Sequence, residues 1–546
     1  MKGNPRRSIV AFSRSGCSSG AKGDFTFGAA DISKMASQKR SSKHREKTAI
    51  PAGLIVPELY STATRGDFEL IRAERFNALA LWGLPEEFVS NFEPVSHWSA
   101  CEEAFLGMVF KQREGRKFGC AIFARDAEGR TRELAHMVSM PTARAAEDAM
   151  RKTRCSEFEE LLANRSFPAL KSGMDLFQKF PRVSNYQPAY RYLRDGARQS
   201  AAKRIMQEIA KWVPDRDGNF VRDFQTTGYS ARVWELYLYA AMRELNFSID
   251  LDHAVPDFCL SRGEDKVFVE AVTVNSPDPL SAAMGDGPPP LPPEDFWAFI
   301  ENEMPVRFGS PLFSKVQKKY WAALHVQGHP FVLAIADFHA RSSMIWSHTA
   351  VPIYLFGRGA SVTIDDNGTK RGTEKIVNVF HGARKSIAAP FFDQPDTENI
   401  SAVLFSNAGT ISKFNRMGVR AGFGDRFVQL TREGGLNDPH PGAFEAIPFR
   451  VDIESASYSE NWADELEMYH NPKALHPIAD ELFPGITHFR IEDDESIWRG
   501  PSPRVLFSWT HSVDLLSRPI PGQRQKSSTA PRTPAKKSRP KTVKRK

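Results

Sequence analysis

Between Tyr229 and Asn275 the sequence changes its apolar period from helical to alternating, and it sets acids at three positions among apolar neighbours. In ARVWELYLYAAMRELNF, opened by Ser230, the residues Val233, Leu236, Tyr237, Ala240, Ala241 and Leu245 recur at helical spacing, with Glu235 among them. A helix this apolar is buried, so its carboxylate needs a partner. Three runs rich in β-branched and apolar residues follow: FSIDL (Phe247–Leu251), VPDFCL (Val255–Leu260) and VFVEAVTV (Val267–Val274). They read as strands, and the last two, separated by the polar SRGEDK, as a hairpin.

Register follows from that loop. If the six residues Ser261–Lys266 close symmetrically, Leu260 faces Val267 and Asp257 faces Glu270. Directly opposed residues share a face, with Cβ atoms roughly 4.5–5.5 Å apart. Two carboxylates that close raise each other's pKa unless a cation lies between them. Oxygen ligands of this kind suit a hard divalent ion, Mg²⁺ or else Mn²⁺. Structural readings stand beside this one: Arg232 is an ion-pair partner for Glu235, Asp257 after Pro256 can open a turn, and Glu270 can sit on a solvated strand face.

A helix bearing an acid, three strands, Pro256-Asp257 at the second, Glu270-Ala271-Val272 on the third, then a helix and a strand: this order resembles the PD-(D/E)XK restriction-endonuclease-like superfamily over Ser230 to His339. The resemblance implies an αβββαβ core and metal-dependent hydrolysis of phosphodiesters, with nucleic acid as partner, DNA ahead of RNA. It implies Asp257 and Glu270 as metal ligands, with Glu235 completing the shell directly or through water. Where the family has a lysine that orients the attacking water and stabilises charge, this chain has Val272. In some members that group has moved to the next helix. Here that helix is SPLFSKVQKKYWAAL, with Ser310 read as N-cap and Pro311 as its first residue. Its apolar stripe is Leu312, Phe313, Val316, Tyr320, Ala323 and Leu324. Lys315 and Lys319 lie four apart on one flank and Lys318 points away, so Lys315 and Lys319 are the candidates for the missing catalytic group. The alternative function, favoured by Val272, is an inactive nuclease-fold protein that binds nucleic acid or serves in assembly.

At 546 residues the chain has room for several cores. The expected fold class is α/β (α+β overall), divided into a basic tail (1–48), a small α+β domain (49–150), a helical connector (151–225), the nuclease-like core (226–357), a C-terminal α/β extension (358–516) and a second basic tail (517–546). The first 48 residues carry 11 Lys/Arg against three acids, and residues 518–546 carry 11 against none. With +8 overall, the body between them is therefore acidic, at −11. Such tails hold nucleic acid without reading its sequence, or simply solubilise. No apolar run nears the roughly 20 residues that span a bilayer. Five scattered cysteines form no Cys-x-x-Cys, which fits a reducing, cytoplasmic setting.

Smaller signals are weaker. Met35 is a second candidate start, and Gly16 to Gly20 spells G-x-S-x-G without the strand and helix that a nucleophile elbow needs. Asp215 to Asn219 reads as a hydrated turn, and SPDPLSAAMGDGPPPLPPED after Asn275 as a long loop. FVLAIADF reads as a buried strand, residues 342–349 as a helix, HTAVPIYLFG as a strand from Val351, ASVTIDDNGTKRGTEKIVNVF as a hairpin turning at Asn367-Gly368, and TISKFNRMG as a helix ended by Gly418. His470 and His476, six apart, share no helical face and have no ligand at zinc spacing beside them, so turn or core roles come first.

Overall fold

Burial alternates along Asp265–Asn275: Val267 and Val269 pack to one side, and Phe268, Val272 and Val274 to the other. Apolar packing on both faces is what a central strand of a layered α/β sheet needs. The structure is a computed structural model that describes residues 68–516 apart from 153–154, 166, 181–184, 251, 277–297, 341–342, 365–369, 441–445 and 494. Both basic tails, Met35, the G-x-S-x-G run, most of the proline-rich loop and the Asn367-Gly368 turn lie outside the described residues.

The N-terminal unit is an antiparallel meander of β1 (Glu69–Ile71), β2 (Phe92–Ala100), β3 (Phe105–Gln112), β4 (Phe118–Arg125) and β5 (Thr131–Met140), in that order. One face packs on α1 (Ala73–Ala80) through Phe76 and Leu79, and the other on α2 (Ala143–Lys152) through Ala146 and Met150.

The main sheet begins with β6 (Ser248–Asp250), β7 (Phe258–Arg262), β8 (Asp265–Asn275) and β9 (Phe331–Phe338). Two hairpins stand outside it, β10 (Arg358–Ile364) with β11 (Lys370–Ile376) and β12 (Val379–His381) with β13 (Ser386–Ala388). It resumes with β14 (Ala402–Phe405). Then β15 (Val428–Leu436) and β16 (Ile447–Asp452) leave it to form, with the last strand β20 (Val505–Asp514), a three-stranded sheet. The remaining members are β17 (Glu467–His470), β18 (Thr487–Glu492) and β19 (Glu495–Arg499), and the spatial order is β19-β18-β17-β14-β9-β8-β7-β6. β6, β7 and β8 form an antiparallel meander, and β8, β9 and β14 run parallel.

Helices cover both faces. On one side lie α3 (Ser200–Ala210), α4 (Tyr229–Glu244) and α7 (Ile411–Arg420); on the other lie α5 (Met304–Val316) and α6 (Ala350–Phe356). The alternation of β9 and β14 explains this division: Val332, Ala334, Ala402 and Leu404 face α4, and Leu333, Ile335, Val403 and Phe405 face α5. Trp234 on α4 adds a directional tie, its indole N–H donating to the carbonyl of Ala334 at 3.0 Å. The element order across residues 229–338 is thus helix, three antiparallel strands, helix, parallel strand.

Several expectations need correction. The run from Val351 is the helix α6, ended by Gly357 in the left-handed region, and residues 343–349 hold two 3₁₀ turns. Gly418 lies inside α7. The region expected as an extension adds β14, β17, β18 and β19 to the same sheet, and helices of the expected connector share the core of α4. Cys101 is disulfide-bonded, whereas Cys120 and Cys259 are free and buried, so the cysteines are not uniformly reduced. No described helix is long and apolar enough to cross a membrane.

Candidate functional site

The β7–β8 hairpin pairs Leu260 with Val267, the register read from the sequence. Pairing continues through Ser261 with Lys266 and Arg262 with Asp265, so the turn is two residues long, not six, with Gly263 at φ +61°. Left-handed backbone at that point favours glycine. Shortening a loop symmetrically leaves the register unchanged. The ladder runs to Phe258 with Val269, and Asp257 lies immediately before β7, beside Glu270.

Asp257 and Glu270 engage reciprocally. The Asp257 backbone N–H donates to Glu270 Oε2 at 3.2 Å, and the Ala271 N–H donates to Asp257 Oδ2 at 2.8 Å. Glu270 belongs to the strand face that meets α5, and from the last turn of α5 the Lys315 ammonium bonds Glu270 Oε1. Glu270 is 4% exposed at its side chain and Lys315 29%, so the ammonium caps an otherwise buried carboxylate. Burial, then the charge of Asp257, pushes the Glu270 carboxyl up to about 7, against the lowering effect of Lys315. Burial also works to lower the Lys315 ammonium, but Glu270 outweighs it and the net shift is upward. Tyr320, just past α5, has its phenol raised by burial and then by Glu270.

Glu235 lies on α4, which covers the opposite face of the sheet from α5, and no described hydrogen bond or ion pair joins it to Asp257, Glu270 or Lys315. Its oxygens accept from Arg232 Nη1 at 3.0 and 3.2 Å, and Arg232 also pairs with Asp223 at 2.8 Å. The structural partner foreseen for Glu235 is therefore present. Burial and the neighbouring Asp257 charge nonetheless push the Glu235 carboxyl up to about 7. Asp257 is the hinge of the constellation, felt by both glutamates.

The second lysine candidate does not join them. α5 ends at Val316; Lys319 lies beyond it in left-handed backbone at φ 51°, and its ammonium pairs with Asp396 at 2.9 Å. Ser310 is not the N-cap, because α5 starts at Met304 with Pro305 near its N-terminus and carries Pro311 inside. Leu324, expected in the apolar stripe, is 90% exposed. Lys315 alone meets the carboxylates. Val272 is buried in the core between sheet and α5, two residues from Glu270 on the same face.

Arg216 was missed by sequence reasoning. It sits in the Asp215–Asn219 turn and donates to the carbonyls of His253 at 2.6 Å and Asp257 at 2.7 Å. His325 bonds the Val255 carbonyl at 2.9 Å. Together they fix the segment that presents Asp257. The DRDGN run signalled only a turn, and nothing local in it foretold a partner some forty residues on.

Chemically, the site sets the Asp257 and Glu270 carboxylates beside the Lys315 ammonium, while Glu235, held by the Arg232 guanidinium, acts on Asp257 only through its charge. Crowded oxygen donors of this sort fit a hard divalent cation, which relieves the repulsion that otherwise traps protons there. Asp257 Oδ1 makes no hydrogen bond among the described residues and is the open donor atom. No protein-family model, no curated protein and no solved structure matches this chain.

Proposed function

We propose that the protein is a divalent-metal-dependent phosphodiesterase acting on nucleic acid, DNA before RNA, and a divergent relative of the PD-(D/E)XK nucleases. One observation carries this reading: Lys315 reaches from α5 onto Glu270, standing in for the lysine that Val272 displaces, beside a carboxylate pair in cross-strand contact. Asp257 and Glu270 would hold Mg²⁺ or Mn²⁺, with Glu235 at the flank. When bound, the ion supplies Lewis-acid polarisation of the phosphoryl group and a more acidic water. The chain's own residues do the rest. Lys315 offers N–H donors and positive charge to an anionic phosphate, Arg216 holds the Asp257 backbone in place, and the buried glutamates keep the oxygens desolvated.

The test is cleavage of single- and double-stranded DNA and RNA by the full chain in Mg²⁺ or Mn²⁺. Wild type should cut and Asp257→Ala should lose roughly 10³-fold or more, with its melting curve still cooperative. A wild type that cuts no nucleic acid in either metal defeats the proposal.

A second reading is favoured by the saturation of Glu270, whose two oxygens are already engaged by Lys315 and the Asp257 N–H. Under it the site is an internal ion pair in an inactive module that binds nucleic acid. Calorimetry separates the two: Mg²⁺ binding that Glu270→Gln weakens supports the enzyme, and no binding supports the module.

A further inference from the structure

A second cluster lies at the far side of the same sheet. His470 ends β17, His488 lies in β18, and Asp480 opens the turn Asp480–Leu482 between them. His470 Nε2 stands 2.9 Å from His488 Nδ1, and both atoms stand 3.5 Å from Asp480 Oδ1. We infer that these three side chains form a metal site for a borderline ion of the Zn²⁺ kind, distinct from the carboxylate site.

Geometry carries the inference. Ligands at the Zn–N and Zn–O bond lengths of about 2.0–2.2 Å stand roughly 3.3 Å apart when tetrahedral, and the three edges here bracket that value. The imidazole centroids are 5.2 Å apart. Two rings bonded to one tetrahedral ion hold their centroids at about that distance, because each centroid lies about 3.2 Å from the metal at those bond lengths. Both histidines are buried, at 4% exposure, while Asp480 is half-buried.

The surroundings of His488 point the same way, whereas His470 Nδ1 is buried with no hydrogen-bond partner among the described residues. His488 Nε2 donates to the Phe483 carbonyl at 3.0 Å, which commits the ring proton there and leaves Nδ1 with its lone pair toward the cluster. Asp480 Oδ1 accepts from Arg490 at both Nε, 3.2 Å, and Nη2, 2.5 Å, Arg499 stands 3.9 Å from Oδ2, and Arg490 Nη2 also donates to the Ile478 carbonyl at 3.0 Å. A carboxylate anchored by an outer partner is the usual setting of a metal-bound one. His476, the histidine paired with His470 in the sequence, is not in the cluster; the parallel pairing of β17 with β18 brings in His488 instead.

The site also has work to do in the fold. Parallel strands are normally joined by a crossover helix packed on the sheet, but the β17–β18 crossover, residues 471–486, holds only the one turn Asp480–Leu482. An ion bound by one residue from each strand and one from the crossover fastens all three. Strands β14, β9 and β8 separate β17 from β7, roughly 4.8 Å per step, so one ion cannot serve both clusters.

The experiment strips the full chain with chelator and titrates Zn²⁺ against a chromophoric competitor, then Co²⁺ by visible absorption. One Zn²⁺ per chain that Asp257→Ala retains should bind to wild type, raise the melting temperature, and give a Co²⁺ spectrum of low-coordinate intensity. His470→Gln and His488→Gln should each weaken binding by ~100-fold or more. Wild type that takes up no Zn²⁺ overturns the inference without any variant. So does Zn²⁺ uptake that both histidine variants leave intact, or that Asp257→Ala abolishes. Cleavage plays no part in the readout, so this inference and the proposed nuclease activity stand or fall separately.

Discussion

Glu270 accepts the backbone N–H of Asp257 at 3.2 Å, while the N–H next to Glu270 in the chain, that of Ala271, donates to Asp257 Oδ2 at 2.8 Å. Each acid is thus positioned by the other's strand, and neither can shift alone. The lysine is different, since it arrives from a separate helix. Lys315→Gln should lower cleavage by roughly 10²-fold, whereas Lys319→Gln, removing a half-exposed pair with Asp396, should stay within about twofold. Rates on a nicked and a linear DNA substrate for the two variants check this; equal effects would remove Lys315 from its assigned role.

Val272 shares the face of Glu270, so a lysine placed there points toward the same carboxylate. In a Lys315→Gln background, Val272→Lys should recover part of the lost cleavage. It should also destabilise the fold by roughly 2–4 kcal/mol, since an aliphatic packed among Phe268, Val274 and Leu312 gives way to an ammonium that must reach the site. Urea denaturation and single-turnover rates on the double variant test both halves. A stability loss with no recovery shows that the helix position cannot be replaced from the strand.

The hairpin register was legible because the alternation of Val267, Val269 and Ala271 against Phe268, Glu270 and Val272 leaves only one face for the acid, and symmetric closure fixes the partner whatever the turn length. Lys315 was legible as one of two lysines, but not the choice between them. That choice depends on α5 ending at Val316, and no glycine or proline marks the end. The start was misplaced for a related reason: Pro311 looks like a first-turn proline, yet Pro305 holds that position and Pro311 is tolerated inside. The α6 run was misread because a short apolar stretch carries no decisive period; Gly357, left-handed at its end, was the available clue. His488 was invisible beside His470 since a parallel crossover, not local spacing, brings them together.

Proton release should accompany metal binding. The Glu235 and Glu270 carboxyls are both raised to about 7 by burial and then by Asp257, so below that pH protons occupy the oxygens a cation needs. Mg²⁺ affinity and cleavage should therefore rise with pH through about 7, with proton release measurable by calorimetry in buffers of different ionisation enthalpy. For the metal-free fold the sign is opposite. A carboxyl whose folded pKa lies above its unfolded value of 4.5 contributes stability that is complete below 4.5 and lost as pH rises through about 7. Glu270→Gln should flatten that decline; an unchanged slope would mean that Glu270 is not among the groups responsible.

Arg216 tests whether the Asp257 segment needs its clamp. Its guanidinium holds two carbonyls, His253 and Asp257, from a turn distant in sequence, and it contacts no proposed metal ligand through a side-chain oxygen in any described hydrogen bond. Arg216→Met should reduce Mg²⁺ affinity roughly 10-fold, in the range seen when outer partners of metal ligands are removed, while the saturated cleavage rate falls less. A loss confined to the saturated rate would assign Arg216 to the chemistry itself.

The largest stability effect should lie away from the site. Glu460 is buried against Arg416 at 2.7 and 2.9 Å, Lys413 at 2.8 Å and Arg432 at 3.5 Å, and its carboxyl is held well below the ordinary range because the three cations overcome the effect of burial. Glu460→Gln strands the buried Arg416 and Lys413 around a neutral amide, while Arg432 keeps its pair with Glu465, and should cost about 3–5 kcal/mol. Lys413→Met should cost less, since Arg416 and Arg432 still neutralise the carboxylate. The pH dependence has the sign of a depressed pKa: the contribution is present above the unfolded value of 4.5 and is lost as pH falls toward the folded one. Urea midpoints between pH 7 and 3 should therefore fall for wild type and fall less steeply for Glu460→Gln, and parallel curves would show that this cluster does not set the acid limit of the fold.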